Sequence, residues 1–155
     1  MSEKSERSNA MKIVVIGAVA AGTSAAAKAR RNNEEAQIII YDKDSFISYS
    51  GCGIPYYIGG LIDTVDELTP RNPDFFKSKY NVDVLILHEV LTISPELKRI
   101  TVKNLTTGEV FSDDYDKLII ATGARAVTPP IKGKDDRHVF TLRNINDMNR
   151  IKAYI

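Results

Sequence analysis

The chain has 155 residues, of which 43% are hydrophobic, and its 21 basic and 20 acidic side chains give a formal net charge of +1. This composition is typical of one globular domain with a core of its own. Because neither sign of charge forms a long run, the sequence predicts no binding to nucleic acid or to an anionic membrane. No stretch reaches the roughly 18 apolar residues of a membrane-spanning helix and no apolar signal segment opens the chain, so the cytoplasm is the default location.

The first ten residues, Met1 to Ala10, are polar, and the first apolar run starts at Met11. We expect this segment to be an expression tag or a disordered tail, and we leave it out of the predicted fold. The predicted domain therefore begins at residue 11.

A strand, a helix and a second strand are predicted next. Lys12–Ile16 is a short apolar run bounded by Gly17, which is typical of a strand buried on both faces of a parallel sheet. Ala20–Arg31 is rich in alanine and predicts a helix, and Gln37–Tyr41 is a second β-branched run. About 30 residues is the length of one βαβ unit, so the opening of the chain predicts half of a Rossmann fold.

The turn between the first strand and the helix has the sequence Gly17-Ala18-Val19-Ala20-Ala21-Gly22. It keeps the first and third glycines of the dinucleotide fingerprint G-x-G-x-x-G but has valine at the second. The amides and the macrodipole of a helix N-terminus would hold a diphosphate there, provided that the valine side chain turns away. The alternative is a tight turn that needs small residues for packing.

Asp42 ends the second predicted strand, 25 positions after Gly17. This is close to the spacing of ~20 residues at which an acidic side chain accepts hydrogen bonds from a ribose. The alternative is an aspartate that is merely solvated at the end of a strand.

The next elements are a helix and a sheet. Asn72-Pro73 predicts a helix that runs to about Tyr80, with asparagine as its cap and proline at its first position. Alternating and apolar runs predict five further strands, with Gly108 at a turn of a small antiparallel meander. These runs are Val82–Leu87, Glu89–Ile93, Arg99–Lys103, Glu109–Phe111 and Lys117–Ala121, the last predicted to be buried.

Cys52 is the only cysteine, which excludes a disulfide within the chain and argues against a thiol-rich metal site, so no metal is predicted. Glycines flank it on both sides, and the sequence just after it predicts a helix with proline in its first turn. A thiol at a helix N-terminus has a depressed pKa and a larger thiolate fraction, which makes it a nucleophile. The alternative is an inert, buried side chain.

Five segments together resemble the N-terminal part of coenzyme A-disulfide reductases and their single-cysteine relatives: GAVAAG, IIIYDKD, SYSGCGIPYYIGG, HEV and YDKLIIATGA. The resemblance covers nearly all of residues 11–155. These proteins are flavin-dependent pyridine nucleotide-disulfide oxidoreductases. The resemblance therefore implies an α/β, Rossmann-like FAD-binding domain over residues 11–140, with a parallel sheet and a small antiparallel β-meander.

The resemblance also implies roles for single residues, with Cys52 as the redox-active thiol. The positions that would contact FAD are Gly17, Ala20, Ala21 and Gly22 at the pyrophosphate, Asp42 and Lys43 at the adenosine ribose, Val90 at the adenine, Ser48 beside the flavin, and Thr122, Gly123 and Ala124 where the chain leaves the domain. Lys28 and Arg31 match positions that help to hold coenzyme A, although cations near a helix C-terminus also complement its dipole. Relatives commonly have Glu, Asn and Gln where this chain has Asp42, Gly51 and Lys28.

The activity that the resemblance implies is reduction of coenzyme A disulfide, or of a persulfide or polysulfide, by NAD(P)H. Electrons would pass through FAD to a mixed disulfide on Cys52, because a lone thiol must take its partner from a small molecule. Two alternatives stay open: an NADH oxidase or peroxidase that cycles through a cysteine sulfenic acid, and a flavin-binding fragment that is inactive on its own.

The end of the chain is expected to lead toward another domain. Residues 141–155, with Asn144 as a possible helix cap, are interpreted as the start of a crossover to an NAD(P)H-binding domain outside this chain. The resemblance further implies a homodimer for the full-length protein.

Overall fold

A four-stranded parallel sheet and a three-stranded antiparallel sheet make up the β-structure of the computed structural model, which describes residues 10–155. The parallel sheet has the order β3-β2-β1-β7, and the antiparallel sheet has the order β4-β5-β6. The strands are β1 (Lys12–Ile16), β2 (Gln37–Tyr41), β3 (Asp83–Leu85), β4 (His88–Ser94), β5 (Arg99–Asn104), β6 (Val110–Asp114) and β7 (Lys117–Ile120). The predicted α/β fold with a parallel sheet and an antiparallel meander is confirmed.

The helices are α1 (Ala21–Asn32), α2 (Ile54–Ile58), α3 (Val65–Leu68), α4 (Pro73–Tyr80) and α5 (Ile145–Tyr154). In the part of the chain that the structure describes, no helix is long and apolar enough to cross a membrane. The prediction about the leading decapeptide falls almost wholly on residues 1–9, which lie outside the described residues.

The central strands β1 and β2 are buried on both faces, as their continuous apolar sequences predict. Successive side chains point to opposite faces of a strand. Val15 and Ile40 therefore pack on one side of the sheet with Phe76 of α4, while Val14 and Ile39 pack on the other side with the meander. The parallel sheet is thus a middle layer between helices and meander.

A partly buried polar contact joins the meander to the parallel sheet. The Tyr41 hydroxyl at the end of β2 donates to Asp113 Oδ2 of β6 at 2.8 Å, and Lys12 Nζ of β1 forms an ion pair with the same carboxylate. Burial raises the pKa of Tyr41, and the hydrogen bond to Asp113 and the negative charge of its carboxylate raise it further. The neutral phenol is therefore the form that this site favours.

Both predicted asparagine caps are present. Asn72 Oδ1 accepts a hydrogen bond from Phe75 N at 2.9 Å, and α4 ends at Asn81 in the left-handed conformation, with φ +48°. Asn144 Oδ1 accepts from Asp147 N at 2.9 Å and begins α5. The short helix α3 was not predicted from the sequence.

Two strand predictions need correction. Lys117–Ala121 was predicted to be buried, but within residues 10–155 β7 lies at the edge of the parallel sheet and pairs only with β1, and Ile120 is 62% exposed. The strand predicted over Val82–Leu87 is shorter, because Leu87 has a positive φ of +56°, which an extended strand does not allow.

Candidate functional site

The glycines of the first turn are required by the packing of the chain itself. Gly17 has φ +104°, and a Cβ atom on it would lie 2.3 Å from the carbonyl oxygen of Ala121, the residue that follows β7. A Cβ on Gly22 would lie 1.8 Å from Gly17 O. The packing interpretation of this turn is therefore correct for both glycines, and it is compatible with a dinucleotide turn, in which glycines also serve close helix–strand packing.

The N-terminus of α1 exposes small side chains. Ala20 and Ala21 are exposed, and Ala20 at the cap position has no side chain that could accept a hydrogen bond from the first amides of α1. The first amides of a helix have no partner within the helix. This end of the 12-residue helix α1 therefore has the donor set and the dipole that suit a phosphate group.

Asp42 is half-buried next to this turn. Its Oδ2 accepts a hydrogen bond from Ala18 N at 2.6 Å, and its Oδ1 accepts from Asp44 N at 2.8 Å. Burial raises the pKa of Asp42, although the two amide hydrogen bonds oppose that rise. Its neighbour Lys43 is exposed and forms a long ion pair with Glu89, with 3.8 Å between Nζ and Oε1.

An open apolar cleft of about 230 Å³ lies between the end of the parallel sheet and the meander. Its walls include Ile16, Ile120 and Thr122 on one side and Val90 on the other, beside an irregularity in the pairing of β4 with β5. The structure thus brings two predicted cofactor positions, Val90 and Thr122, to one cleft.

Cys52 lies in a single 3-10 turn, Gly51–Gly53, directly before α2, and its thiol is exposed and free. The interpretation of Cys52 as a buried side chain is therefore wrong. The two flanking glycines differ: a Cβ on Gly51 would meet open space, whereas a Cβ on Gly53 would lie 2.2 Å from Leu68 Cδ2. The chain is therefore open to solvent at Gly51 and packed against the core at Gly53.

The segment before Cys52 is hydrogen-bonded to the glycine turn. Ser48 N donates to Ala18 O at 2.9 Å, and Ser48 has a positive φ of +48°. Cys52 therefore lies four positions along the chain from a residue that is hydrogen-bonded to the Gly17–Gly22 turn.

Arg143 is a site residue that the sequence did not indicate. Its Nε donates to Ala124 O at 2.9 Å, and a Cβ on Gly123 would lie 2.8 Å from its Nη2. Burial raises the pKa of Tyr49, and the charge of Arg143 opposes this rise. Nothing in the local sequence relates residues so far apart, and only the fold brings them together.

The basic residues near the end of α1 have different surroundings. Lys28 and Arg31 are exposed, as a site for an anionic ligand requires. Arg30 donates instead to the carbonyl oxygens of Tyr80 and Asn81, both at 2.9 Å, and so satisfies acceptors at the C-terminus of α4. Arg30 therefore has a structural role that is distinct from its neighbours.

Comparison with models of known families assigns the chain to one of them. The model of the family described as pyridine nucleotide-disulphide oxidoreductase matches residues 11–154. The chain belongs to this family. The resemblance found in the sequence is thereby confirmed.

Three similar proteins illustrate how this family member relates to others. The coenzyme A disulfide reductase of Staphylococcus haemolyticus is 40% identical over 144 residues, which are 93% of this chain and 32% of that protein. The crystal structure of reduced Bacillus anthracis CoADR-RHD has a TM-score of 0.90 and 44% identity over 97% of this chain and 27% of its own. The NAD-dependent persulfide reductase from A. fulgidus has a TM-score of 0.86 and 36% identity, covering 93% of this chain and 27% of its own. The chain thus spans about a third of the length of the coenzyme A disulfide reductase that it matches.

Proposed function

We propose that the chain is the FAD-binding portion of an NAD(P)H-dependent reductase of coenzyme A disulfide, or of a persulfide or polysulfide. The observation that carries this proposal is the exposed thiol of Cys52 on a segment whose Ser48 amide is bonded to the glycine turn. The names of the similar proteins, a coenzyme A disulfide reductase and a persulfide reductase, support the substrate class.

The residues around the glycine turn fit FAD. The amides at the start of α1, beside the exposed Ala20 and Ala21, would hold the diphosphate, and the apolar cleft at Val90 and Thr122 would take flat ring systems. Asp42 and Lys43 would lie at the adenosine ribose, Ser48 beside the flavin, and Gly123 and Ala124 at the exit turn. When bound, FAD supplies two-electron transfer between NAD(P)H and sulfur.

Cys52 would do the sulfur chemistry. Its thiolate attacks one sulfur of the substrate disulfide, so that a mixed disulfide forms and the first thiolate leaves. Two electrons that originate from NAD(P)H, together with one proton, would then reduce the mixed disulfide, which releases the second thiol and restores the thiolate of Cys52. The open space beside Gly51 lets a bulky substrate reach the sulfur.

The wider organisation is part of the same proposal. Residues 11–140 would form the flavin domain, and 141–155 would begin the crossover to an NAD(P)H-binding domain. The exposed Lys28 and Arg31 would bind coenzyme A phosphates. The full-length protein would act on small molecules in the cytoplasm as a homodimer, without a nucleic-acid or membrane partner.

Native, non-reducing mass spectrometry tests this proposal. We expect one FAD per chain and, on Cys52, a disulfide-linked coenzyme A adduct that a reductant removes. Consumption of NADH by the full-length protein should be faster with coenzyme A disulfide than with oxygen. Absence of bound FAD from the full-length protein would contradict the flavin assignment.

A peroxidase or oxidase is the second candidate, because an exposed thiol is also open to oxidation to sulfenic acid. It predicts FAD together with an oxygenated, otherwise unadducted Cys52, and NADH consumption that depends on oxygen or peroxide. A chain that holds FAD but consumes no NADH would instead be a flavin-binding fragment without activity of its own.

A further inference from the structure

Ala18, the second residue of the glycine turn, is completely buried and is held on both sides by the segment that follows β2. Its amide donates to Asp42 Oδ2 at 2.6 Å, and its carbonyl oxygen accepts from Ser48 N at 2.9 Å. The shape of the turn therefore depends on a segment that lies outside the glycine motif.

The carboxylate of Asp42 is engaged by the chain itself. One oxygen accepts the Ala18 amide, and the other accepts the Asp44 amide at 2.8 Å. An ionised acceptor makes a stronger hydrogen bond to an amide than a neutral one does, and partial burial reduces competition from water. Aspartate suits this arrangement because its short side chain keeps the carboxylate close to the end of β2.

We infer that Asp42 is a positioning residue that shapes the Gly17–Gly22 turn for a diphosphate through the Ala18 amide, independently of any contact with the adenosine ribose. The inference rests on the proposed function, because FAD supplies the diphosphate. It gives Asp42 a role that a ribose ligand would not have, since the turn depends on Asp42 before any cofactor is bound.

The substitution Asp42→Asn tests this role. The single carbonyl oxygen of asparagine can accept only one of the two amides, and its NH₂ group would face the other as a second donor. The dissociation constant for FAD should rise about tenfold, the factor expected for one lost amide bond to a charged acceptor. Glu35→Gln removes the same charge from an exposed carboxylate and should leave the constant unchanged.

An FAD analogue whose adenosine ribose lacks the 2′- and 3′-hydroxyls separates positioning from ribose binding. If Asp42 positions the turn, Asp42→Asn weakens binding of the analogue and of FAD by the same factor. Weakening that is confined to FAD would show a ribose ligand only and would overturn the inference. Equal FAD affinities of the wild type and the variant would overturn it too.

Hydrogen exchange of the protein without FAD provides a readout that involves no flavin. The Ala18 amide should exchange more slowly than the amides of the exposed residues Ala20 and Ala21, and Asp42→Asn should accelerate its exchange. The comparison of Ala18 with Ala20 and Ala21 needs only the wild type, so it can be made even if the variant fails to fold. Fast exchange at Ala18 would overturn the inference but leave the proposed function standing. Absence of FAD binding by the wild type would overturn the proposed function and the inference with it.

Discussion

At the scale of single residues, the two glycines around Cys52 meet different demands. Gly51 faces open space beside an exposed thiol, whereas Gly53 is buried against Leu68, which is only 1% exposed. The thiol is thus anchored on one side and accessible on the other. This arrangement suits a sulfur that must be approached by a substrate while its backbone stays fixed.

Replacement of Cys52 by serine should abolish disulfide turnover and leave FAD binding intact, because the exposed sulfur contributes reactivity and no packing. NADH consumption with coenzyme A disulfide and the flavin content of the purified full-length protein measure the two effects. Undiminished turnover would contradict the assignment of Cys52.

Replacement of Gly53 by alanine should lower the free energy of unfolding by about 1–3 kcal/mol, because its methyl group would overlap the buried Leu68 side chain. Gly51→Ala is the matched control, since its methyl group would enter open space and should cost much less. Urea denaturation of both variants measures the difference. Equal losses of stability would contradict the distinction between the two glycines.

At the scale of elements, asparagine caps begin the two longest helices that follow Cys52, yet the caps do not have the same surroundings. Asn72 is exposed, and its side chain accepts from the amide of Phe75. Asn144 is half-buried, accepts from the amide of Asp147 and also donates from Nδ2 to Asp44 Oδ2 at 3.1 Å. Asn144 thus joins α5 to the segment after β2.

Asn144→Ala should therefore destabilise the protein more than Asn72→Ala. Loss of a cap alone costs about 1 kcal/mol, and Asn144→Ala also leaves the half-buried Asp44 without its amide donor. Chemical denaturation of the two variants under one set of conditions gives the comparison. A larger loss for Asn72→Ala would show that the contact with Asp44 contributes no stability.

At the scale of the whole molecule, the contact of Tyr41 with Asp113 and Lys12 joins the two sheets. Because the pKa of Tyr41 in the folded protein is raised above its ordinary value of 10.0, the folded state keeps a proton that the unfolded state loses. Stability from this group is complete below pH 10.0 and declines as the pH rises above it.

Tyr41→Phe should weaken this alkaline decline, while costing about 1–3 kcal/mol at neutral pH through the lost hydrogen bond to an ionised acceptor. Thermal melting across neutral to alkaline pH measures both effects. The control Tyr56→Phe removes an exposed hydroxyl and should leave the profile of the wild type. Parallel profiles for the wild type and Tyr41→Phe would contradict a raised pKa.

Sequence patterns predict those parts of this protein in which neighbouring residues determine the structure. Apolar runs predict β1 and β2, and local capping chemistry predicts the starts of α4 and α5 at Asn72 and Asn144. The exposure of β7 could not be predicted, because its apolar sequence does not reveal that it lies at a sheet edge.

Contacts between distant residues escaped prediction for the same reason. The hydrogen bonds from Arg143 to Ala124 and from the Ala18 amide to Asp42 depend on how separate segments fold together. Neither leaves a periodic or compositional trace in the sequence. The sequence therefore predicts the positions of the candidate site. The hydrogen bonds that connect these positions could be identified only from the structure.

The packing of α5 on α2 has a consequence for how the segment around Cys52 opens. An isolated helix of only five residues does not persist in water, so α2 owes its order to the core it shares with Ile145 and Met148 of α5 and to the bond from Lys152 Nζ to Ile58 O. The two helices should then unfold locally as one cooperative unit, with a common free energy of opening. Any fluctuation that separates α5 from this core would also free the segment that carries the thiol. The lifetime of the ordered segment around Cys52 therefore depends on residues of α5, which lie about a hundred positions further along the chain.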